Sequence, residues 1–397
     1  MEELLTPYNK NHFFGYYDKL PINSGGNYLL SHESEKAGSE ISKSEKVNIC
    51  VTNLNTKETN IIDSSLAWNY QQGSQLQWLN NDSIIFNSFD GENYTSTIIN
   101  INKTKCKRKL KYPIYSISDD KKIYSSVNYS RLNKFRHGYG YIQKDFNFED
   151  DDLMQIRDLN IDKPIIILKK ENFKNFSDIK FSNCWIDHII FAPQSYDFVF
   201  LLRFTNNNSN LTSYLFYFDF KTKEVFNILN SGMAGHGAWK DKNNFIIWGR
   251  ESQFTKKLGK VNNLIFRKIF NIVRKISVPD FIRKNIYRDC YINFNKENKN
   301  KNILNLKIPM KISGGHFNFI KNTMISDTYH DHENLSTLFK YDLDNKILKK
   351  FSKLRCIDTI KDKPYRCDLH PRIISENEII VDSTREGFRG IYKIFFQ

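Results

Sequence analysis

Short apolar and aromatic runs recur along the chain between clusters of Asn, Asp, Gly and Ser, while helical periodicity is scarce. NYLL at 27–30, SIIF at 83–86, FVFLL at 198–202 and FIIW at 245–248 each read as a buried strand, because both faces are apolar and the flanks are turn-formers. DFKTKE at 219–224 and DLDNK at 342–346 read as hairpin turns joining the outer strands of a repeated sheet.

The runs fall into a repeat. HGAW at 236–239 followed by FIIWG at 245–249 returns as QLQW at 75–78 before IIF, HIIF at 188–191 before FVF, HFNF at 316–319 before MISD, and HPRI at 370–373 before IIVD. Weaker copies start at Tyr115 and Lys19, which makes seven. Spacings of about 40 to 80 residues suit four-stranded blades, some carrying insertions. The expected fold is all-β: a seven-bladed β-propeller filling 1–397 as a single domain.

One stretch departs from the repeat. Residues 251–311 hold 15 Lys/Arg and 4 Asp/Glu, a net +11 of the chain's +15. Within it Leu264, Ile265, Phe266, Ile269, Phe270, Ile272, Val273 and Ile276 make one broad helical face bordered by Arg267, Lys268, Arg274 and Lys275. The span is expected to be a basic, partly helical insertion between blades five and six. Residues 264–276 suit packing on the propeller, a contact with an anionic membrane surface, or a lid over an anionic ligand. Nucleic acid is not an expected partner, because no stacking platform is interleaved with the basic residues.

Composition narrows the classes further. With 31 Phe, 21 Tyr and 5 Trp the 397-residue chain has ample surface to bury, which excludes a disordered tail protein. Six scattered cysteines form no C-x-x-C pair, which argues against a disulfide framework or a thiolate zinc cluster and suits a reducing compartment. No apolar run is long enough to span a membrane and the start lacks a signal-peptide pattern. The expected location is cytoplasmic, with a peripheral position at the inner membrane if 264–276 binds lipid.

The repeat places the chemistry. Innermost strands of a propeller start near the central channel, so equivalent positions face one another across the axis. Gln75, His188, His236, His316 and His370 occupy that position in five of the seven copies, and four of the nine histidines fall there. Converging neutral imidazoles without neighbouring cysteine suit Mn, Fe, Ni or Zn, although each histidine alone would also suit a bond to a neighbouring blade's backbone. Arg203 and Arg372 are candidates for holding a carboxylate by a bidentate fork, or for salt bridges between blades. His330 and His332 read as a solvated turn. Nucleophile-elbow, Walker, H-E-x-x-H and Rossmann patterns are missing.

FFGYYDK at 13–19 with Pro21, GGH at 314–316 leading to DTY at 327–329, and RCDLHPR at 366–372 leading to DSTREG at 382–387 resemble bacterial propeller proteins of the oligogalacturonate lyase type. The resemblance covers most of the chain outside the basic span. It implies a divalent metal of the Mn type held by histidines and a glutamine, acting on short anionic uronate oligosaccharides by β-elimination. Carried over, His316 and His370 fall on metal-ligand positions, with His188 and Gln75 as the further ligands of the ring. His236 takes the place of the base and Arg203 that of the carboxylate-binding arginine. The last blade lacks the lyase's H-x-H pair, and Asp368 and Arg372 stand nearest to that place as candidate substrate-binding residues. The alternative is a non-catalytic propeller that binds glycans or scaffolds surface-polysaccharide assembly at a membrane.

Overall fold

A computed structural model describes residues 2–176, 181–205, 211–230, 232–252, 287–356 and 364–396. Their strands form seven antiparallel sheets of four strands, one per repeat, around a central axis: a seven-bladed β-propeller. The innermost strands are Asn11–Phe13, Gln77–Trp78, Ser116–Ile117, Cys184–Phe191, Ala234–Trp239, Phe317–Ile320 and Arg372–Ser375. The last blade takes its outermost strand, Glu2–Leu4, from the opposite end of the chain, where it pairs with Gly390–Phe395 and closes the ring.

Packing explains why the second strands read as unbroken apolar runs. In Phe198–Thr205, Phe198, Phe200 and Leu202 join one inter-blade core while Val199 and Leu201 join another on the opposite face. A blade is covered on both sides by its neighbours, so the two-residue strand period alternates between two cores and not between core and solvent. Burying such a side chain contributes about 1.5–3 kcal/mol. Outermost strands have one open edge and read polar, as Lys103–Leu110 does.

The turns between third and fourth strands share one device. Asn53, Asp158, Asp219, Asn295 and Asp342 each accept hydrogen bonds from the amides two and three residues on. The residue four on then adopts positive φ: Lys57 at 63°, Asp162 at 54°, Lys223 at 61°, Lys299 at 55° and Lys346 at 57°. The short side chain replaces the missing backbone acceptor and fixes the hairpin register.

The basic span differs from expectation. Tyr287–Asn295 and Asn300–Leu304 are the third and fourth strands of blade five, with Asn244 paired to Asn295 and Ile292 to Ile303. The inserted segment is therefore shorter than 251–311 and joins the second and third strands of one blade, not blades five and six. The alternation of Tyr291, Ile292 and Phe294 was hidden by the Lys and Asn of an exposed outer turn. The expected helix at 264–276 lies outside the described residues. Among those described, no helix is long and apolar enough to cross a membrane.

A second insertion matters more to the site. Residues 128–151, between the second and third strands of blade three, contain the helix Tyr129–Phe135, capped where the Asn128 side chain accepts from the Arg131 amide. Its C-terminal end delivers Arg136 and Tyr139 toward the axis.

Candidate functional site

At the start of the innermost strands the ladder is broken. Gln75, His188 and His370 have φ of 58°, 53° and 49°, a left-handed backbone uncommon for residues with a Cβ. In blades four and five the register shifts between Asp187 and Ile190 and between Ala234 and Gly237. Such bulges turn a side chain out of the sheet, here toward the axis.

The four predicted histidines meet there. Ring centroids lie 6.0 Å apart for His188 and His236, 4.1 Å for His236 and His316, and 4.2 Å for His316 and His370. Tyr16, from the loop after the first innermost strand, stands among them, its ring 5.1–6.3 Å from all four. All four histidines are buried.

Hydrogen-bond partners decide which ring nitrogens are free. The Nδ1 of His236 lies 3.1 Å from the Gly314 carbonyl, which can only accept, so Nδ1 carries the proton and Nε2 keeps its lone pair. His316 Nδ1 lies 3.0 Å from an Asp327 carboxylate oxygen and is a donor for the same reason. That carboxylate also accepts the backbone N–H of His316 at 2.7 Å and of His370 at 3.1 Å, tying two blades together. The His370 ring hydrogen-bonds the Gly15 backbone, and its buried Nε2 has no partner. Burial and the neighbouring His316 ring hold His236 and His370 well below the usual imidazole range, so both are neutral near pH 7.

His188 does not share this freedom. Its Nδ1 donates to Asp187 Oδ1 at 2.7 Å, and its Nε2 accepts from the Tyr16 hydroxyl. With both nitrogens engaged it is not available as the predicted metal ligand; it is the middle of a carboxylate–imidazole–phenol chain. Burial would raise the Asp187 carboxyl, but Arg203, His188 and Arg136 more than offset this and keep it ionised. Burial lowers His188 to about 4, partly opposed by Asp187.

The remaining predicted residues separate into two groups. Asp368 joins His316 and His370: one ligand atom from each lies within 4.8 Å of the others, and Arg366 holds the carboxylate at 2.9 Å. Asp368, expected as a substrate-binding residue near the place of the lyase's H-x-H pair, thus lies beside the two histidines as a candidate ligand. Two imidazole nitrogens and a carboxylate oxygen, with the unpartnered His370 Nε2, fit a first-row divalent cation. Gln75 Oε1 is also buried without a partner, and its amide connects through Gln72 to the Tyr115 hydroxyl that receives the His188 amide.

Arg372 faces elsewhere. Its guanidinium donates to the Tyr16 and Gly15 carbonyls and to Asp382, fully buried, so it locks the 13–18 loop to the last blade and has no place as a substrate contact. Arg203 lies 3.0 Å from Asp187 Oδ1, although its N–H is not aligned on that oxygen. His332 is exposed in a turn capped by Asp331, as expected.

Several contributors escaped the sequence reading. Arg136 donates to Asp187 at 2.8 Å and stacks 3.5 Å from the centre of the Tyr139 ring. Arg366 donates to the Tyr139 hydroxyl at 3.5 Å. Burial raises the Tyr139 phenol, but these two guanidiniums more than offset it and bring the group below its ordinary value. Arg203 and Arg136 share the Asp187 carboxylate and Arg366 pairs with Asp368, so the three guanidiniums beside the histidine cluster are set against two carboxylates. The available signals were RHGYGY at 136–141 and the arginine of RCD at 366–368. A separate cavity of about 850 Å³, lined among others by Lys19, Trp78 and Lys121, contains none of the histidines.

No family model and no curated protein matches the sequence. Solved structures do match the fold. An oligogalacturonate lyase in complex with manganese superimposes with a TM-score of 0.65 at 12% identity, over 100% of this chain and 93% of that one. The oligogalacturonate lyase of Vibrio parahaemolyticus gives 0.63 at 13%, over 99% and 92%. A prolyl endopeptidase gives 0.54 at 8%, over 99% of this chain and 49% of that one, which shows how widely the architecture is used. At these identities the chain is similar to the two lyases in its whole seven-bladed fold.

Proposed function

We propose that the protein is a metal-assisted lyase that cleaves short uronate-containing oligosaccharides by β-elimination. The observation that carries this reading is the pairing of a two-histidine, one-carboxylate cluster with a neutral histidine, His236, whose Nε2 lone pair is free one ring away. Two guanidiniums, Arg203 and Arg136, set against the single Asp187 carboxylate support an anionic substrate.

His316, His370 and Asp368, with Gln75, would hold the cation, which the manganese-bound lyase suggests is Mn. When bound, a divalent metal supplies positive charge against the uronate carboxylate and the charge that develops on it. The chain's own residues do the rest. Arg203, whose Nε has no hydrogen-bond partner, orients the carboxylate. His236 Nε2 takes the C5 proton, and the resulting electron pair forms the C4–C5 double bond as the C4–oxygen bond breaks. The leaving oxygen is protonated from solvent. His188, backed by Asp187, holds the Tyr16 hydroxyl in place among the reacting groups.

The test is product analysis on uronate oligosaccharides with metal-loaded protein. Unsaturated product should form, and His236→Gln should slow it by roughly 10²–10⁴-fold while keeping the metal content. Products that gain water instead would overturn elimination, and a His236→Gln rate equal to wild type would remove the histidine from the role given to it.

A further inference from the structure

Blade one carries a second set of donor atoms, away from the axis. His12 lies on Asn11–Phe13, Glu33 on Tyr28–Ser34 and Cys50 on Val47–Asn53. His12 is directly opposite Glu33, and Glu33 is opposite Asn48, two residues before Cys50. This register puts all three side chains on one face of the sheet. One ligand atom from each lies within 4.8 Å of the others.

The imidazole is arranged as a metal-binding histidine is. His12 is completely buried, and its Nδ1 is 3.1 Å from the Ser31 hydroxyl. Its Nε2 has no hydrogen-bond partner, although it points at Glu33 Oε2 from 3.3 Å. A buried ring nitrogen without a partner is unusual and calls for a reason. In the tautomer whose Nδ1–H donates to Ser31, Nε2 offers its lone pair to a cation shared with the carboxylate and the thiol, and in the metal-free protein the other tautomer turns Nε2–H toward Glu33. Asn48 Nδ2 donates to Glu33 Oε1 at 3.2 Å and fixes that carboxylate. Such outer contacts orient ligands in metal sites. The half-exposed Lys10 ammonium, 3.0 Å from Glu33 Oε2, stands in place of a cation on the solvent side.

We propose that His12, Glu33 and Cys50 bind a zinc-class divalent cation, displacing Lys10, with Ser31 and Asn48 as orienting residues and water completing a tetrahedral site. A set of one nitrogen, one oxygen and one sulfur favours zinc or cobalt over the hard cations that oxygen-rich sites take. Binding releases the Cys50 thiol proton to solvent. The inference does not depend on the central site, whose candidate ligands include no sulfur.

Cobalt(II) is the probe, added to full-length protein after chelator treatment. A thiolate-to-cobalt charge-transfer band in the near ultraviolet is expected, displaced by about one equivalent of zinc. Cys50→Ser and His12→Gln should abolish it, and Ser31→Ala should weaken cobalt binding about tenfold. The His316→Ala/His370→Ala double variant should keep the band, which separates this site from the central one. A wild-type protein that is folded but shows no band, or a Cys50→Ser protein that retains it, would overturn the proposal. If His12→Gln does not fold, Cys50→Ser, close to isosteric, still decides.

Discussion

Replacing Asp327 by Asn tests the central arrangement most sharply. The buried carboxylate accepts three N–H groups: the His316 amide at 2.7 Å, His316 Nδ1 at 3.0 Å and the His370 amide at 3.1 Å. An amide of the same shape keeps one acceptor oxygen but turns the other into a donor, so at least one N–H must face another N–H. A hydrogen bond to a charged group contributes about 1.5–3 kcal/mol net, so a stability loss of that size is expected. The same contacts aim the two histidines, and loss of such an outer contact typically weakens metal binding about 10–100-fold. Asp327→Ala leaves all three donors unsatisfied and should cost roughly 3 kcal/mol or more. Urea melts give the stability change from the midpoint at constant slope, and metal titration of chelator-treated protein gives the affinity. An Asn variant within about 0.5 kcal/mol of wild type, binding metal within twofold, would show that Asp327 does not organise the site.

Three further outcomes follow from the fold. His32 is pushed down to about 3 by burial, and its Nε2 accepts the Ser74 amide. Below about pH 6.5 the unfolded chain therefore takes up a proton that the folded one refuses, and stability should fall toward pH 3 by about 1.4 kcal/mol per pH unit from this group. A His32→Gln variant with an unchanged acid slope would refute that assignment. Gly315→Ala should lose about 1–3 kcal/mol and most metal affinity, since its Cβ would lie 2.0 Å from the Asp327 carbonyl oxygen; near-wild-type melting would mean the strand yields easily. Deleting residues 1–5 removes the closing strand and the buried Leu5, and should cost about 3 kcal/mol and promote association through the bared edge of Gly390–Phe395, measured by melting and light scattering.

The sequence by itself determined the repeat, the blade count and the residue position that faces the axis. Those depend on local rules: a strand covered on both faces is apolar throughout, and an Asn or Asp at the turn fixes its own hairpin. The same rules fail where composition masks alternation, as in Tyr287–Leu304, whose strands were lost in a basic span. Local rules also cannot say what an axial residue does once it arrives. Arg372 and His370 are two residues apart, yet one is consumed by Gly15 and Asp382 and the other keeps a bare nitrogen. His188 and His236 look alike in the repeat, but Tyr16 occupies one and leaves the other free. Tyr16 is 172 residues from His188, and Gly15 is 357 from Arg372. Closing the ring brings these partners together, and the hydrogen bonds made across it decide which imidazole nitrogens can take a metal or a proton.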